Sequence, residues 1–514
     1  ANDHSADFAV YTTLYGERTV ILMLKYSNRS LLPVLVLLAA IIASCGTVET
    51  ADTEATTAIS DTGTDTSSEK PLPELPEDDF DGYNFRVAHW DMPDWPMRAC
   101  VDIVGENNGD TISDAVYRRN LAVCERYNFE ISLISVRWDE LKGMVTNAVM
   151  AGDDAFDLVI LRMYEGKDLL TTGQLVDFHS IPYIDLTAPW WDSNCSDNLT
   201  IDGKLYYAAS DLTIEDKNAT SAILFNKKIA DDYGVEDLYS LVRSGEWTIE
   251  RMMNIYSEVT SDLDGDGELG ENDIWGFLGG NDVGSAFFLG GGGKYLSKDG
   301  SGVFYDSFNT ERNIELSQLI QRLMSDSDNF YNHHTGAQKV PITDDTEYRN
   351  LFASGAGLFY WDRLDAVSDL RSLDTDFGIL PTPKYDAEQE NYINQVSHHT
   401  MGLLSVPATQ TDLERTGIIL EALSAESRYE LNPAYYDVLL KTKSIRDEDS
   451  SEMLDIILAN RCYDFAAIFN IGGWPDELIN VMKNGSAIVS SYESYATKID
   501  SALDDIYDEL SILD

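Results

Sequence analysis

The chain is short of basic residues, histidine and cysteine, and each shortage closes off a class of function. Against 89 Asp and Glu there are 36 Lys and Arg in 514 residues, a formal net charge of −53. Phosphates would be repelled over a Debye length, so nucleic acid and anionic lipid headgroups are excluded as partners. After Cys45 only Cys100, Cys124, Cys195 and Cys462 remain. They contain no CxxC pair and are too sparse for a disulfide framework, with Cys124 read as a buried thiol and a Cys100–Cys124 bridge left open. The histidines include two adjacent pairs, His333-His334 and His398-His399. Side chains adjacent in sequence are expected to point to different sides, which makes poor metal pairs and suggests solvated loops. No GxSxG, HExxH or comparable catalytic string occurs. The run from Gly290 to Lys294 imitates a phosphate loop, but Tyr295 stands where Ser or Thr is required. A glycosidase pair cannot be picked out of so many carboxylates by sequence. No internal repeat is visible.

Long apolar runs are also scarce. The one at 31–43 follows Met23, Lys25 and Arg29 and is too short to span a bilayer comfortably, which is the layout of a secretory signal. It ends in Ile42-Ala43-Ser44-Cys45-Gly46. That string resembles a bacterial lipobox, which implies lipidation of Cys45 as the mature N-terminus, an extracellular location and contact with the membrane through that lipid only. Residues 1–22 precede this signal (23–45) and read as a non-native upstream extension. Residues 46–79 are rich in Thr, Ser, Glu, Asp and Pro and nearly free of large apolar groups, so they read as a disordered acidic tether.

The remaining 80–514 is more than one core accommodates, and 44% hydrophobic residues supply material for two lobes. Strand-like runs at 85–90, 129–136 and 156–161 alternate with helical patterns at 111–127 and 139–150, a β-α-β-α-β opening. Ligands of such sheets sit beyond the carboxyl ends of the strands, near Trp90 to Asp94 and Met163 to Gly166. A second set of strand-like runs lies at 221–225, 357–361, 376–381 and 401–406. Thr248 is a candidate N-cap for a helix with Ile249, Met252, Met253, Tyr256 and Val259 as its apolar stripe. Ile488, Tyr492, Tyr495, Ile499, Leu503, Ile506 and Leu510 repeat at helical spacing near the end of the chain.

The sharpest chemical motif is a loop with Asp262, Asp264, Asp266, Gly267, Glu268 and Asp273 at positions 1, 3, 5, 6, 7 and 12. Alternating carboxylates and a turn-making glycine suit a hard cation that needs six to eight oxygens, so a structural Ca²⁺ is expected, with Glu268 contributing its carbonyl. Asp273 replaces the longer Glu usual at position 12.

Several stretches resemble the extracellular solute-binding proteins, family 1, of ABC transporters, whose best-known relatives bind maltodextrins. They are Ser113-Asp114-Ala115-Val116-Tyr117-Arg118-Arg119-Asn120, Ala151-Gly152-Asp153-Asp154-Ala155-Phe156-Asp157-Leu158-Val159, and Ala188-Pro189-Trp190-Trp191. In the same order follow Phe225-Asn226-Lys227-Lys228, Gly245-Glu246-Trp247-Thr248, Phe377-Gly378-Ile379-Leu380-Pro381-Thr382-Pro383-Lys384, and Glu452-Met453-Leu454-Asp455. The resemblance implies an α/β, two-lobed periplasmic-binding-protein-like fold of type II, with a hinge and an interlobe ligand cleft. Lobe 1 would hold about 80–210 and 400–450, and lobe 2 about 211–399 and 451–514. It further implies a monomeric non-enzyme that captures a carbohydrate and hands it to ABC permease subunits. A surface glycoside hydrolase or lyase and a tethered glycan-binding adhesin are the alternatives. Sugar rings lie flat on aromatic faces while carboxylates take hydroxyls. The expected ligand-binding residues are therefore Trp90, Tyr164, Asp211, Trp361, Asp362 and Trp474, with Trp361 as the strongest carry-over from the family.

Overall fold

The computed structural model describes residues 71–92, 100–335, 345–370, 376–440 and 448–513. Cys45, the signal and most of the expected tether lie outside these residues. Strands β1 (Tyr83–Asp91) and β2 (Phe129–Arg137) are parallel and paired along their full length. Parallel neighbours require a crossover, here the helix Thr111–Tyr127. Asp110 caps that helix by accepting from the amides of Ile112 and Ser113 at 3.1 and 2.9 Å. The helix Leu141–Ala151 then leads to β3 (Leu158–Arg162), parallel to the other side of β1.

The second lobe begins with β4 (Ser221–Asn226), whose six residues are all buried because the sheet is covered on both faces. The helix Ile249–Val259 follows, with Thr248 Oγ1 accepting from the Arg251 amide at 3.2 Å. Next come β5 (Trp275–Gly279), the hairpin β6 (Leu296–Lys298) and β7 (Phe304–Asp306), and β8 (Phe330–Asn332). β9 (Gly357–Arg363) and β10 (Phe377–Leu380) complete a five-stranded sheet of order β10-β4-β9-β5-β8. β5, β8 and β9 are parallel, while β4 runs against β9 and β10.

Two of the segments that cross between the lobes run side by side. The bridge Thr220–Val396 and the bond from the Ser397 amide to the Ala219 carbonyl, 2.9 Å, tie them together. β11 (Asn394–Gln395) leads along one segment to β12 (Gly402–Ser405), which pairs antiparallel with β3 and gives the first sheet the order β12-β3-β1-β2. The long helix Leu413–Leu440 packs on the helix Thr111–Tyr127. Between them Arg119, fully buried, donates to the carbonyls of Leu212 and Asp102, both at 2.8 Å. β13 (Arg461–Cys462) pairs with β11.

Three expectations change. Residues 71–79, assigned to the tether by composition, run extended along lobe 1: the Tyr429 hydroxyl donates to the Pro71 carbonyl at 3.0 Å, and Leu75 packs on the core. The C-terminal stripe divides into the helices Ile488–Glu493 and Ala496–Ile512, a break that brings both Tyr492 and Tyr495 onto Trp474. Cys100 and Cys124 are free thiols, so the open bridge is not formed. Among the described residues no helix is long and apolar enough to cross a membrane.

Candidate binding cleft between the lobes

The carboxyl end of β3 in lobe 1 faces the carboxyl ends of β5 and β9 in lobe 2, with the crossing segment around Ser397 as floor. The apolar run of β3 ends at Arg162, whose Nε donates to the His399 carbonyl at 2.6 Å. The Arg162 guanidinium lies 5.3 Å from the ring centre of Tyr164, 4.9 Å from that of Trp138 and 5.9 Å from that of Trp90. Tyr164 begins a helical turn, Met163–Gly166, and remains 45% exposed. Its ring meets His399 at 5.1 Å between centres.

Opposite it, Trp361 on β9 lines a small pocket with Asp282, Gln395, His398, His399 and Asp476, of free volume about 20 Å³. Trp361 is buried, and its indole N–H has no hydrogen-bond partner; nor does His398 Nδ1. Gln395 is held by its side-chain amide donating to Ser285 Oγ at 2.8 Å. Burial depresses the pKa of His398 well below the ordinary imidazole value. It also depresses that of His399, where Asp282 and Asp476 pull upward and Arg162 and Arg363 downward. Both rings are therefore neutral near pH 7 and can donate or accept toward a polar guest.

The expected ligand-binding residues separate. Tyr164 and Trp361 border this cleft. Trp90 lies beside it but is only 2% exposed, its Nε1 donating to Glu215 Oε2 at 2.9 Å. Three others are structural in this conformation. Asp211 is buried in ion pairs with Lys217 at 3.3 Å and Arg428 at 3.2 Å. Asp362 faces Arg349 at 3.0 Å. Burial raises its pKa, but Arg349 and Arg363 outweigh that and hold it well below the carboxylate range. Trp474 is 1% exposed in a cluster with Phe308, Tyr492 and Tyr495, although its neighbours Pro475 and Asp476 reach the pocket. Alternation along β9 explains Asp362: if Trp361 faces the cleft, the next residue faces away.

Sequence reasoning missed Arg162, Asp282, Gln395, His398, His399 and Asp476. Arg162 had a signal, a cation directly ending a buried strand. Of the histidine pairs expected in solvated loops, His398 is buried while His334 is exposed, and the rings of each pair lie tilted at 4.0 Å for His398-His399 and 3.9 Å for His333-His334. Opposite orientation of neighbours holds along strands, whereas these pairs sit in turns.

The acidic loop lies at the amino end of β5, the opposite end of that strand from the cleft. Oxygens of Asp262, Asp264 and Asp273 converge within 4.8 Å of one another. Asp262 accepts from the amides of Gly265 and Gly267 at 2.7 and 2.9 Å, and Gly267, at φ 88°, makes the turn. The Asp273 carboxylate accepts from Leu263 and Gly270, and these amide bonds, working against its burial, lower its pKa. The side chains of Asp266 and Glu268 stand outside the convergent trio. Two ligands of one Ca²⁺ lie at most about 5 Å apart, twice the metal–oxygen distance, so the trio fits the ion.

No family model matches the chain, and no curated protein matches it in sequence. Solved structures do. The sugar-binding protein MalE of Xanthomonas citri aligns at a TM-score of 0.55 and 11% identity, covering 82% of this chain and 98% of its own. An ABC substrate-binding protein of Listeria monocytogenes in complex with cycloalternan aligns at 0.50 and 12%, covering 84% and 100%. UgpB of Mycobacterium tuberculosis in complex with glycerophosphocholine aligns at 0.51 and 15%, covering 80% and 98%. The first two are described as a sugar-binding and a substrate-binding protein. Together with the two hinged α/β lobes, they give this chain the type II fold of the substrate-binding proteins of ABC transporters.

Proposed function

We propose that this chain is an extracellular receptor that closes its two lobes on a carbohydrate and delivers it to the permease of an ABC importer, without chemical turnover. The observation that carries the reading is the pairing of an exposed aromatic face on one lobe, Tyr164, with the unpartnered indole N–H of Trp361 on the other. An aromatic plane takes the C–H face of a sugar and a fixed donor takes a hydroxyl. The lipobox-like string at Cys45 supports a lipid anchor outside the cell, and one cleft per anchored chain supports a monomer. The trio Asp262, Asp264 and Asp273, with the Glu268 carbonyl and Asp266 nearby in sequence, supports a structural Ca²⁺ remote from the cleft.

Calorimetry against a panel of oligosaccharides, with chromatography of the recovered ligand, tests the reading. At least one glycan is expected to bind and return intact, and Trp361→Ala is expected to weaken that binding roughly tenfold or more, the cost of about 1.4 kcal/mol of lost contact. Absence of binding across the panel would refute the carbohydrate ligand. Cleavage of a bound glycan would refute the non-enzymatic role.

A further inference from the structure

Behind the cleft, His89, near the carboxyl end of β1, is fully buried. Its Nδ1 faces the carbonyl of Trp90, which places a ring proton on that nitrogen, and Nε2 is directed inward, carrying a lone pair when the ring is neutral. Nε2 has no hydrogen bond of acceptable geometry, although Glu215 Oε1 lies 2.7 Å away. Cys100 Sγ and a carboxylate oxygen of Asp102 join it, with the three candidate ligand atoms all within 4.8 Å of one another. Asp102 is 1% exposed. Its Oδ2 is held by the Ile214 amide at 2.7 Å, and Oδ1 stands 3.6 Å from Cys100 Sγ. Glu215 is likewise oriented, Oε2 accepting from Trp90 Nε1 at 2.9 Å and Oε1 turned toward the imidazole.

One imidazole, one thiol and one carboxylate converge as a mixed donor set that suits zinc and its first-row neighbours, with the Glu215 carboxylate beside the imidazole, whereas the sulfur disfavours calcium and magnesium. A ligating histidine ordinarily donates its other ring N–H to a carbonyl or carboxylate, which fixes the ring and its tautomer. His89 has that support from Trp90. A carboxylate oxygen facing an imidazole lone pair at this separation is repulsive unless a proton or a metal ion lies between them.

We propose that His89, Cys100 and Asp102, with Glu215 alongside, form a buried site for one divalent transition-metal ion of the zinc type. Glu215 opens the helical turn Glu215–Asn218 that leads into the interlobe crossing and β4. A metal bound there joins the cleft end of β1 to the start of the hinge, so it stiffens the frame against which lobe 2 moves. The competing arrangement uses the same atoms without metal: an imidazolium paired with Glu215, and a neutral thiol on Asp102.

Cobalt titration of the full chain, stripped with a chelator and dialysed, distinguishes the two. The expected result is a near-ultraviolet thiolate-to-cobalt charge-transfer band that saturates at one equivalent and is removed by added Zn²⁺. Cys100→Ser, with far-ultraviolet circular dichroism confirming its fold, is expected to lose the band. His89→Gln is expected to weaken cobalt binding at least tenfold. Absence of the band in the wild-type chain would overturn the proposal whatever the variants do. So would the same charge-transfer band in wild type and Cys100→Ser, which would assign the thiolate ligand to another cysteine.

Discussion

Glu421 illustrates how one buried carboxyl can govern pH behaviour. It lies on the long helix Leu413–Leu440, is 1% exposed, and accepts the indole N–H groups of Trp190 at 2.9 Å and Trp191 at 2.7 Å. Burial pushes its pKa from 4.5 up to about 7, against the lowering effect of the two indoles. The folded state therefore holds a proton that the unfolded chain releases between those values. Its stabilisation is complete below about pH 4.5 and is lost as pH rises through about 7, a swing of about 3 kcal/mol. His398 and His399 act with the opposite sign: their folded pKa values are depressed, so stability falls as pH drops below about 6.5. Urea unfolding of wild type and Glu421→Gln across pH 4.5 to 7.5 separates these effects, because the histidine contribution is common to both proteins. The variant is expected to lose the Glu421 slope and to be about 1–3 kcal/mol less stable at low pH, since its amide N–H faces one indole N–H. Parallel profiles would show that Glu421 does not titrate in this range. At this scale the sequence was a partial guide. Trp190 and Trp191 stood out in the sequence only as part of a family-like string, and their shared carboxyl partner is 230 residues away or more in the chain.

Elements were more legible than residues, because periodicity and capping are local. The helix Thr111–Tyr127 was readable to its ends, and Thr248 caps the helix it was expected to cap. The acidic loop at 262–273 was equally local, an Asp-x-Asp-x-Asp-Gly spacing of which Asp262 and Asp264 converge with Asp273. Like charges at such distances repel, so the loop is expected to gain order and stability from Ca²⁺. Thermal unfolding with and without millimolar Ca²⁺ should show a rise in Tm in wild type that Asp264→Ala abolishes, and a Tm indifferent to Ca²⁺ in both would dismiss the ion. The rise should leave ligand affinity unchanged, since the loop is at the amino end of β5 and the cleft is at its carboxyl end. Where local reading failed, tertiary packing had overridden it. The final amphipathic stripe is one helix by period, but rings stacking on Trp474 break it in two.

For the whole molecule, the decisive number is the pocket volume. About 20 Å³ beside Trp361 is room for roughly a single water molecule and far too little for a pyranose. Capture of a guest beside Trp361 is therefore expected to involve parting of the lobes at the crossing segments, with binding selecting the conformation in which both walls touch the guest. Small-angle X-ray scattering is expected to report a smaller radius of gyration with a saturating glycan than without it. Identical radii would mean that capture does not involve lobe closure. The short crossings near Ala219 and Ser397, rather than a large flexible linker, make such a motion a hinge rotation.

The sequence by itself determined what depends on neighbours along the chain: the α/β alternation, the helix caps, the acidic loop, and the apolar strands that had to be covered on both faces. Length and composition indicated two or more lobes, and the resemblance implied two. Tertiary structure alone decided which polar groups meet. Arg162, Trp361, His399 and Asp476 come from separate elements and converge only when the sheets are assembled. The same assembly turned Asp211, Asp362 and Trp474 inward, where ion pairs or aromatic packing satisfy them, and gathered His89, Cys100, Asp102 and Glu215 behind the cleft. No one-dimensional pattern records such meetings, since their cause is the three-dimensional matching of buried charge and hydrogen-bonding capacity.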